Sequence, residues 1–561
     1  MEWIAKKPRT DASDLEIRGK TIPSGIIEIL AQRGFDTPEK IEKFFALSLK
    51  DLHDPFLFND MEKAIDRIVQ ARQSKEKVLI HGDYDTDGIT ATALLVIILK
   101  KIGLEVISYI PNRFTDGYGL AKNGIDHALK ENCRLLITVD CGITANEEIA
   151  HAENNKINVI ICDHHMPKET LPGAYAILNP KVKDELYPFK ELSGAGIAFK
   201  LVQAIGKRFG IADDEIYDHL DLAALGTVVD LVPLIDENRV IAKFGIKKIL
   251  NSSKVGIRSL LENAGLKRNI TAYHLNFVIG PRINACGRLR DAREALELFL
   301  TSDPGHARAL ASNLSNDNQL RQKIEKDTYL EARSMIDEHQ IEKQSIIVLG
   351  KPDWHEGIIG IVASRLVDEF YRPAILLSIK EGMAKGSARS ISGFNITDAL
   401  SGCRDLLTNF GGHSQAAGLT LPVSNIESLK ERINTLAVDM DKSIFERKGW
   451  YDLPVSFDDL NENFLLFLKY FEPTGMANPQ PVFYSENLEI VGVPRVVGKD
   501  HLKFALRQNN QVFDAIAYEQ AESILDFEVG KTRINCLFSI AEETFTVRQK
   551  IIMKVKAIKK V

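Results

Sequence analysis

Four potential metal ligands crowd into HGDYDTDG at residues 81–88, where His81, Asp83, Asp85 and Asp87 fall within seven residues. Carboxylates packed this closely repel one another unless cations separate them. Asp140 closes the apolar run RLLITVD, while Asp163, His164 and His165 close INVIICDHH. Asp230 follows ALGTVV and could complete the set. Mixed oxygen and imidazole donors suit manganese or magnesium, with zinc also open, and this many ligands exceeds what one ion needs. Two divalent cations about 4 Å apart activate a water and stabilise a leaving oxygen, which is the chemistry of phosphodiester hydrolysis. Taken singly, each strand-end Asp also reads as a helix N-cap and each His as an ordinary surface or core group. Their joint occurrence at successive strand ends is what favours a metal centre.

Such a set needs a scaffold that brings strand ends together. VLIH (78–81), EVISYI (105–110), RLLITVD (134–140) and INVIICD (157–163) alternate with helical segments, which predicts a parallel sheet wrapped by helices. Ligands bind at the carboxyl edge of such sheets. Residues 1–75 read as a helical N-terminal extension packed onto the next domain in the chain, and 76–250 as that αβ domain. Residues 251–344 read as a helical connector, with a proline-free stretch from about His306 to Gln344 that predicts a helix on the order of 50 Å long. A second αβ domain is expected over 345–445, from SIIVLG and PAILLSI, and a small β-barrel over 446–561.

Composition sets limits but names no partner. The 561 residues, 45% hydrophobic and 26% charged, are too many for one core and exclude a disordered or disulfide-stapled chain. Lys and Arg number 71 against 77 Asp and Glu, a net charge of −6, so any nucleic-acid contact must be a local basic groove. Cys133, Cys141, Cys162, Cys286, Cys403 and Cys536 form no CxxC pair, which suits reduced thiols. The opening MEWIAKKPRTDASD has no signal-like apolar core, and the longest strongly apolar run, about Ala91 to Leu99, is too short to span a bilayer. A cytoplasmic protein with no membrane contact is expected.

HGDYDTDG, VDCG and CDHH, in this order and spacing, resemble the motifs of the DHH phosphoesterase superfamily, and GGHSQAAGLTL (411–421) resembles the glycine-rich signature of its DHH-associated domain. With SGAGIAFKL, LAALGTVVDLVPL, GPRINACGRL and WHEGIIGIVASRL added, the chain from about residue 50 onward is similar to the RecJ family of single-stranded-DNA-specific 5′→3′ exonucleases. The resemblance implies an α/β fold: a parallel-sheet DHH domain, a long helix to a DHH-associated domain, and a C-terminal barrel of the oligonucleotide-binding (OB) type. It implies two Mn2+ or Mg2+ ions held by His81, Asp85, Asp87, Asp140, His164 and Asp230, with Asp140 bridging. Asp83 is then an extra acid close to the ions, His165 faces the scissile phosphate, and Asp221 is the alternative to Asp230.

A 5′-phosphate calls for guanidinium or backbone N–H donors. Arg113 in IPNRFTDGYG, Arg282 and Arg288 in GPRINACGRL, and Ser387 with Arg389 in KGSARSISG resemble positions where the family binds phosphate; each arginine alone also reads as a solvated surface charge. His413 lies beside two glycines that admit a phosphate, or that make a tight turn, and His355 and Glu356 resemble substrate-side residues, Glu356 being alternatively a helix cap. The ending VRQKIIMKVKAIKKV carries six basic residues and no acid, with Met553, Val555 and Ala557 alternating against Lys554 and Lys556. On an OB-type barrel, the resemblance implies that this cationic face tracks a single strand, although it also reads as a solvated strand end; Phe504, Phe513, Tyr518 and Phe545 are available for stacking or for the core. The resemblance further implies a narrow passage between the αβ domains, single-stranded DNA with a 5′ end as substrate, a monomer, roles in repair and recombination, and helicase and single-strand-binding-protein partners. The rival readings are a superfamily enzyme for short oligonucleotides, cyclic dinucleotides or pyrophosphate, and a non-enzymatic single-strand-binding scaffold.

Overall fold

Runs such as Leu135–Val139, apolar at every position but one, suit strands buried on both faces. In a computed structural model of the chain they form a five-stranded, wholly parallel sheet: β1 (Lys77–His81), β2 (Glu105–Tyr109), β3 (Leu135–Val139), β4 (Asn158–Cys162) and β5 (Ala176–Leu178). The described residues are 1–6, 15–17, 19–117, 119–336, 344–438, 440–498, 500–522, 527–543 and 550–561. The strand order β2-β1-β3-β4-β5 reverses direction between β1 and β3, the point at which an open α/β sheet leaves a crevice at its carboxyl edge. Helices α1 (Thr86–Lys101), α2 (Gly194–Phe209) and α3 (Leu220–Val229) are buried on nearly all sides and pack against one another. Helix α4 (Gly280–Leu289) follows a π-helical turn at Leu275–Ile279.

The long helix, α5, runs from Pro304 to Ser334, 31 residues and thus about 46 Å. It ends short of Gln344, and residues 337–343 of the expected stretch lie outside the described ones. The chain divides into two compact units, one formed by residues 1–2 and 314–448, the other by 3–313 and 449–561. The first holds a five-stranded mixed sheet: β6 (Ile347–Pro352), β7 (Ala374–Lys380), β8 (Met383–Arg389), β9 (Asn409–His413) and β10 (Ala416–Pro422), in the order β9-β10-β8-β7-β6. Only β6 and β7 pair in parallel. Helix α6 (Ile359–Phe370) buries Ile359, Val362, Ala363 and Leu366 and packs on β7 and β8.

The second unit contains, besides the parallel sheet, a barrel of β11 (Phe483–Val497), β12 (His501–Gln508), β13 (Gln511–Ala517), β14 (Arg533–Glu543) and β15 (Lys550–Lys560). Its order β11-β12-β13-β15-β14 closes through a β11–β14 pairing, which removes exposed sheet edges. The N-terminal helices Ser24–Gln32 and Pro38–Phe45 share the core of this C-terminal region: the Phe45 and Phe467 rings lie 5.3 Å apart, as do those of Phe44 and Phe471. The expectation that the extension packs onto the domain next to it in sequence therefore holds for the Met61–Gln73 helix, which packs on α2 and β5, and not for these two. Arg239 joins these parts, its guanidinium 3.6 Å from the Phe44 ring centroid and donating to the carbonyls of Phe44 and Tyr470. All six cysteines are free and buried. Among the described residues no helix is long and apolar enough to cross a membrane.

Candidate metal centre

The acids arrive at the carboxyl edge by four routes. After β1 the chain turns into α1, and Asp85 caps that helix by accepting from the backbone N–H groups of Asp87 (3.0 Å) and Gly88 (3.1 Å). Asp87, in the first turn, accepts from Gly194 N–H at 2.6 Å and Ala195 N–H at 2.9 Å at the start of α2. Glycine is required there because a Cβ on Gly194 would lie 2.9 Å from the Asp87 carboxylate and 2.7 Å from Asp140 Cβ. After β3, Asp140 adopts left-handed backbone at φ 60°, a conformation Asp tolerates better than most side chains. After β4 come Asp163, His164 and His165, and Asp230 enters from the C-cap of α3.

Ligand atoms come within 4.8 Å of one another in three overlapping groups: Asp83, Asp85 and Asp140; Asp87, His164 and Asp230; Asp140, His164 and His165. Asp140 and His164 each belong to two of them. His164 Nε2 lies 3.1 Å from Asp140 Oδ1, 3.6 Å from Asp230 Oδ2 and 4.0 Å from Asp87 Oδ2. Asp140 Oδ1 and both ring nitrogens of His164 are buried without a hydrogen-bond partner among the described residues, as befits donors directed at a cation.

The electrostatics agree with this fit. Burial, then repulsion from neighbouring acids, pushes Asp83 up to about 8 and Asp87 to about 7, and holds Asp140 and Asp230 well above the usual carboxylate range. Burial, with His165 alongside, lowers His164 to about 3, so its imidazole is neutral and able to ligate. His165 behaves oppositely: burial disfavours its charge, but Asp163, which pairs with Nδ1 at 2.7 Å, and the nearby Asp83 and Asp85 raise its pKa above the ordinary value. Asp163 is itself held by the N–H groups of Ile143 and His165.

Not every expected ligand joins the cluster. His81 is fully buried, its Nε2 accepts from Ala121 N–H at 3.3 Å, its Nδ1 lies 3.8 Å from Cys141 Sγ, and it belongs to none of the three groups. Ending β1, its side chain packs against Gly124 and stacks on Tyr109, and Asp83 takes the position beside Asp85. Asp221 lies elsewhere, paired with Lys254 at 2.8 Å and accepting from Ser252; Asp230 is the acid beside His164. Two contributions are not evident in the sequence. Asp163 orients His165, and Asn284 on α4 accepts from both the backbone N–H and the hydroxyl of Thr86, pinning the acid-bearing turn. Asp163 is visible as a strand-end acid, but its pairing is not; Asn284 sits inside GPRINACGRL with no local signal of its contact.

Arg113 stands 5.5 Å from the Tyr84 ring and within electrostatic reach of Asp83. Arg288 also acts on Tyr84, whereas Arg282 donates to the Val278 carbonyl one helical turn back. In the other unit, Arg389, Ala416 and His413 are register partners across β8, β10 and β9, so Arg389 and His413 share one face with Ser387. Arg389 donates to Ser387 Oγ at 2.9 Å, and the start of α6 approaches so closely that a Cβ on Gly360 would lie 2.7 Å from that oxygen. Gly412, at φ 150° in β9 beside His413, leaves no room for a side chain, since a Cβ there would lie 2.3 Å from the Ala416 carbonyl oxygen. His355 accepts from Gly357 N–H, and Glu356 pairs with Lys385 rather than capping the helix. On the barrel, Phe504 is buried and Phe513 packs on Phe457, Tyr518 is exposed, and Phe545 lies outside the described residues.

Three family models match the chain: the DHH family N-terminal domain over residues 77–227, the DHHA1 domain over 343–439 and the RecJ OB domain over 451–557. The single-stranded-DNA-specific exonuclease RecJ of Bacillus subtilis is 38% identical over 93% of this chain, which spans 66% of that relative's length. The protein of the same name from Escherichia coli is 34% identical, over 89% of each chain. The crystal structure of RecJ in complex with Mn2+ from Thermus thermophilus aligns with a TM-score of 0.82 at 28% identity, covering 100% of this chain and 80% of that one.

Proposed function

Because this chain belongs to the RecJ family, we propose that it is a metal-dependent exonuclease that removes nucleotides from the 5′ end of single-stranded DNA by phosphodiester hydrolysis. The observation that carries this reading is the convergence of Asp83, Asp85, Asp87, Asp140, His164 and Asp230 in adjoining ligand groups with unpartnered buried donor atoms. These residues would hold two Mn2+ or Mg2+ ions. Bound there, the cations lower the pKa of water and neutralise charge on the phosphate oxygens.

The chain's own groups do the rest. Asp163 keeps His165 oriented at the edge of the cluster and raises its pKa, which favours an imidazolium to meet charge developing on the scissile phosphate. Asp87 is fixed by two backbone N–H donors and cannot swing away from its site. Arg113 and Arg288, beside Tyr84, attract the strand's phosphates, and Arg389, Ser387 and His413 supply a phosphate-binding face in the other unit. The same reading places the enzyme, as a monomer, in repair and recombination alongside a helicase and a single-strand-binding protein.

The test is a time course on a 5′-phosphorylated strand labelled at its 3′ end, with Mn2+, Mg2+ or chelator. The expected result is a metal-dependent ladder shortening from the 5′ end, absent on blunt duplex. Cleavage restricted to very short oligomers, or shortening from the 3′ end, would overturn the proposal.

A further inference from the structure

We infer that Lys181 is a substrate-binding residue that holds the internucleotide phosphate next to the scissile one, on its 3′ side. The inference rests on the exonuclease reading and deepens it. Lys181 follows β5, which pairs in parallel with β4, Cys162 standing opposite Leu178. Beyond that pair the two chain segments stay joined. Asp163 N–H donates to the Leu178 carbonyl at 3.1 Å, and the Asn179 side chain donates to the His165 carbonyl at 2.9 Å. Asn179 is fully buried and accepts from Lys181 N–H at 2.8 Å, so the Lys181 backbone is pinned beside the strand end that carries His164 and His165.

Its charge reaches the cluster without being absorbed by it. Lys181 acts electrostatically on His164 and Asp230, whereas Arg113 and Arg288 act at the other end, on Asp83 and Tyr84. Among the described residues Lys181 nevertheless makes no ion pair with any acid of the cluster; its ammonium pairs with Glu191 at 3.5 Å. That contact is long, and the Glu191 carboxylate is 44% exposed, so water screens the pair and exchanging it for another anion costs little.

A lysine beside a site for divalent cations repels them, so its charge works against metal binding. The same charge becomes favourable once a phosphate arrives, and an ammonium on a flexible stem meets a phosphate as a point charge. His165 is engaged with the scissile phosphate in this reading. In a strand cut at the linkage nearest its 5′ end, every further internucleotide phosphate lies on the 3′ side, and the first of these is the nearest anion left for Lys181. A lysine serving only as the partner of Glu191 would leave strand affinity indifferent to its removal.

The experiment compares the full-length wild type with Lys181→Met, Lys181→Arg and Glu191→Gln on a strand of about 20 nucleotides. Binding is read by fluorescence anisotropy in chelator over a series of salt concentrations, and hydrolysis kinetics are followed in Mn2+. Lys181→Met is expected to bind about tenfold more weakly, with KM raised to match and kcat retained. Its slope of log affinity against log salt should be shallower by about 0.7, the change for one phosphate contact on a single strand. Lys181→Arg should keep wild-type affinity, Glu191→Gln should not lower it, and Lys181→Met should bind Mn2+ no more weakly than wild type. A neutral methylphosphonate at the second linkage from the 5′ end should weaken the wild type to the level of Lys181→Met and leave that variant unchanged. Unchanged affinity or salt slope in Lys181→Met, an equal loss in Glu191→Gln, or a fall in kcat with KM unaltered would overturn the contact. Wild-type protein that binds the strand through Lys181 yet does not shorten it would sustain the contact and remove the exonuclease reading.

Discussion

The carboxyl edge of the parallel sheet and the C-terminal barrel belong to one unit, yet opposite forces organise them. At the sheet edge, Asp83, Asp87 and Asp140 are buried, with half-buried Asp230 beside them, against their own repulsion, held by backbone N–H donors, an N-cap and close glycines. In the barrel region, Phe45, Phe467, Phe471, Phe483 and Phe538 bury apolar rings against one another, and the buried Arg239 guanidinium beside them is satisfied by backbone carbonyls and the Phe44 ring. The first region stores unfavourable electrostatics that a cation relieves; the second needs no ligand to be satisfied. Chemistry should therefore be fragile and stability robust at the sheet edge, with the reverse in the barrel.

The largest effect should come from Asp140→Asn. Asn keeps the shape and accepts the left-handed backbone, so we expect hydrolysis to fall by about 10³-fold or more, the several kcal/mol a cation site contributes. Strand binding should persist, and the metal-free protein should melt no earlier than wild type, because a repelling carboxylate is gone. Lower melting by calorimetry would show that the cluster is held by attraction and erase the contrast.

Phe467→Ala should invert that pattern. It removes a ring buried against Phe45, and about 3–5 kcal/mol of stability is the usual loss. Denaturant melts should show it, while kcat of the folded enzyme on a trinucleotide stays near wild type. A matching loss of kcat would mean that the two regions are not separable.

A smaller effect, roughly 10- to 100-fold in kcat, is expected for Asp163→Asn, the size typical of losing the group that orients a site imidazole. His165 would then lose its proton at lower pH, so the alkaline limb of the pH–rate profile should move to lower pH. An unshifted limb would detach His165 from that limb.

The smallest effect concerns the metal-free fold. Asp83 and Asp87 keep their protons up to about 8 and about 7, whereas an unfolded Asp loses its proton near pH 4. Between those values the native state binds more protons than the unfolded state, so stability is lost as pH rises through the window. Mn2+ replaces the protons and should raise the melting temperature by a few degrees more at pH 8 than at pH 5.5. An equal or larger shift at the acid end would contradict the electrostatic account.

Much of this was legible in the chain. The period of the apolar runs and the acids that end them identify the parallel sheet and its reactive edge, because strand formation and the turn after it are decided by neighbouring residues. The alternation in IIMKVKAIKK likewise separates the inside of the barrel from its outside. What remained hidden depends on residues far apart in sequence. His81 and Asp83 stand two residues apart, and only the packing of Gly124 and Tyr109 against the imidazole turns His81 away and leaves Asp83 beside Asp85. The N-terminal helices are amphipathic and would bury their apolar face on any matching surface; that they join phenylalanines more than 400 positions away is decided by which surface the fold leaves uncovered. Local spacing determined which chemistry this protein carries; the tertiary structure alone decided which of its acids, imidazoles and rings face one another, because burial and repulsion are properties of the assembled surroundings.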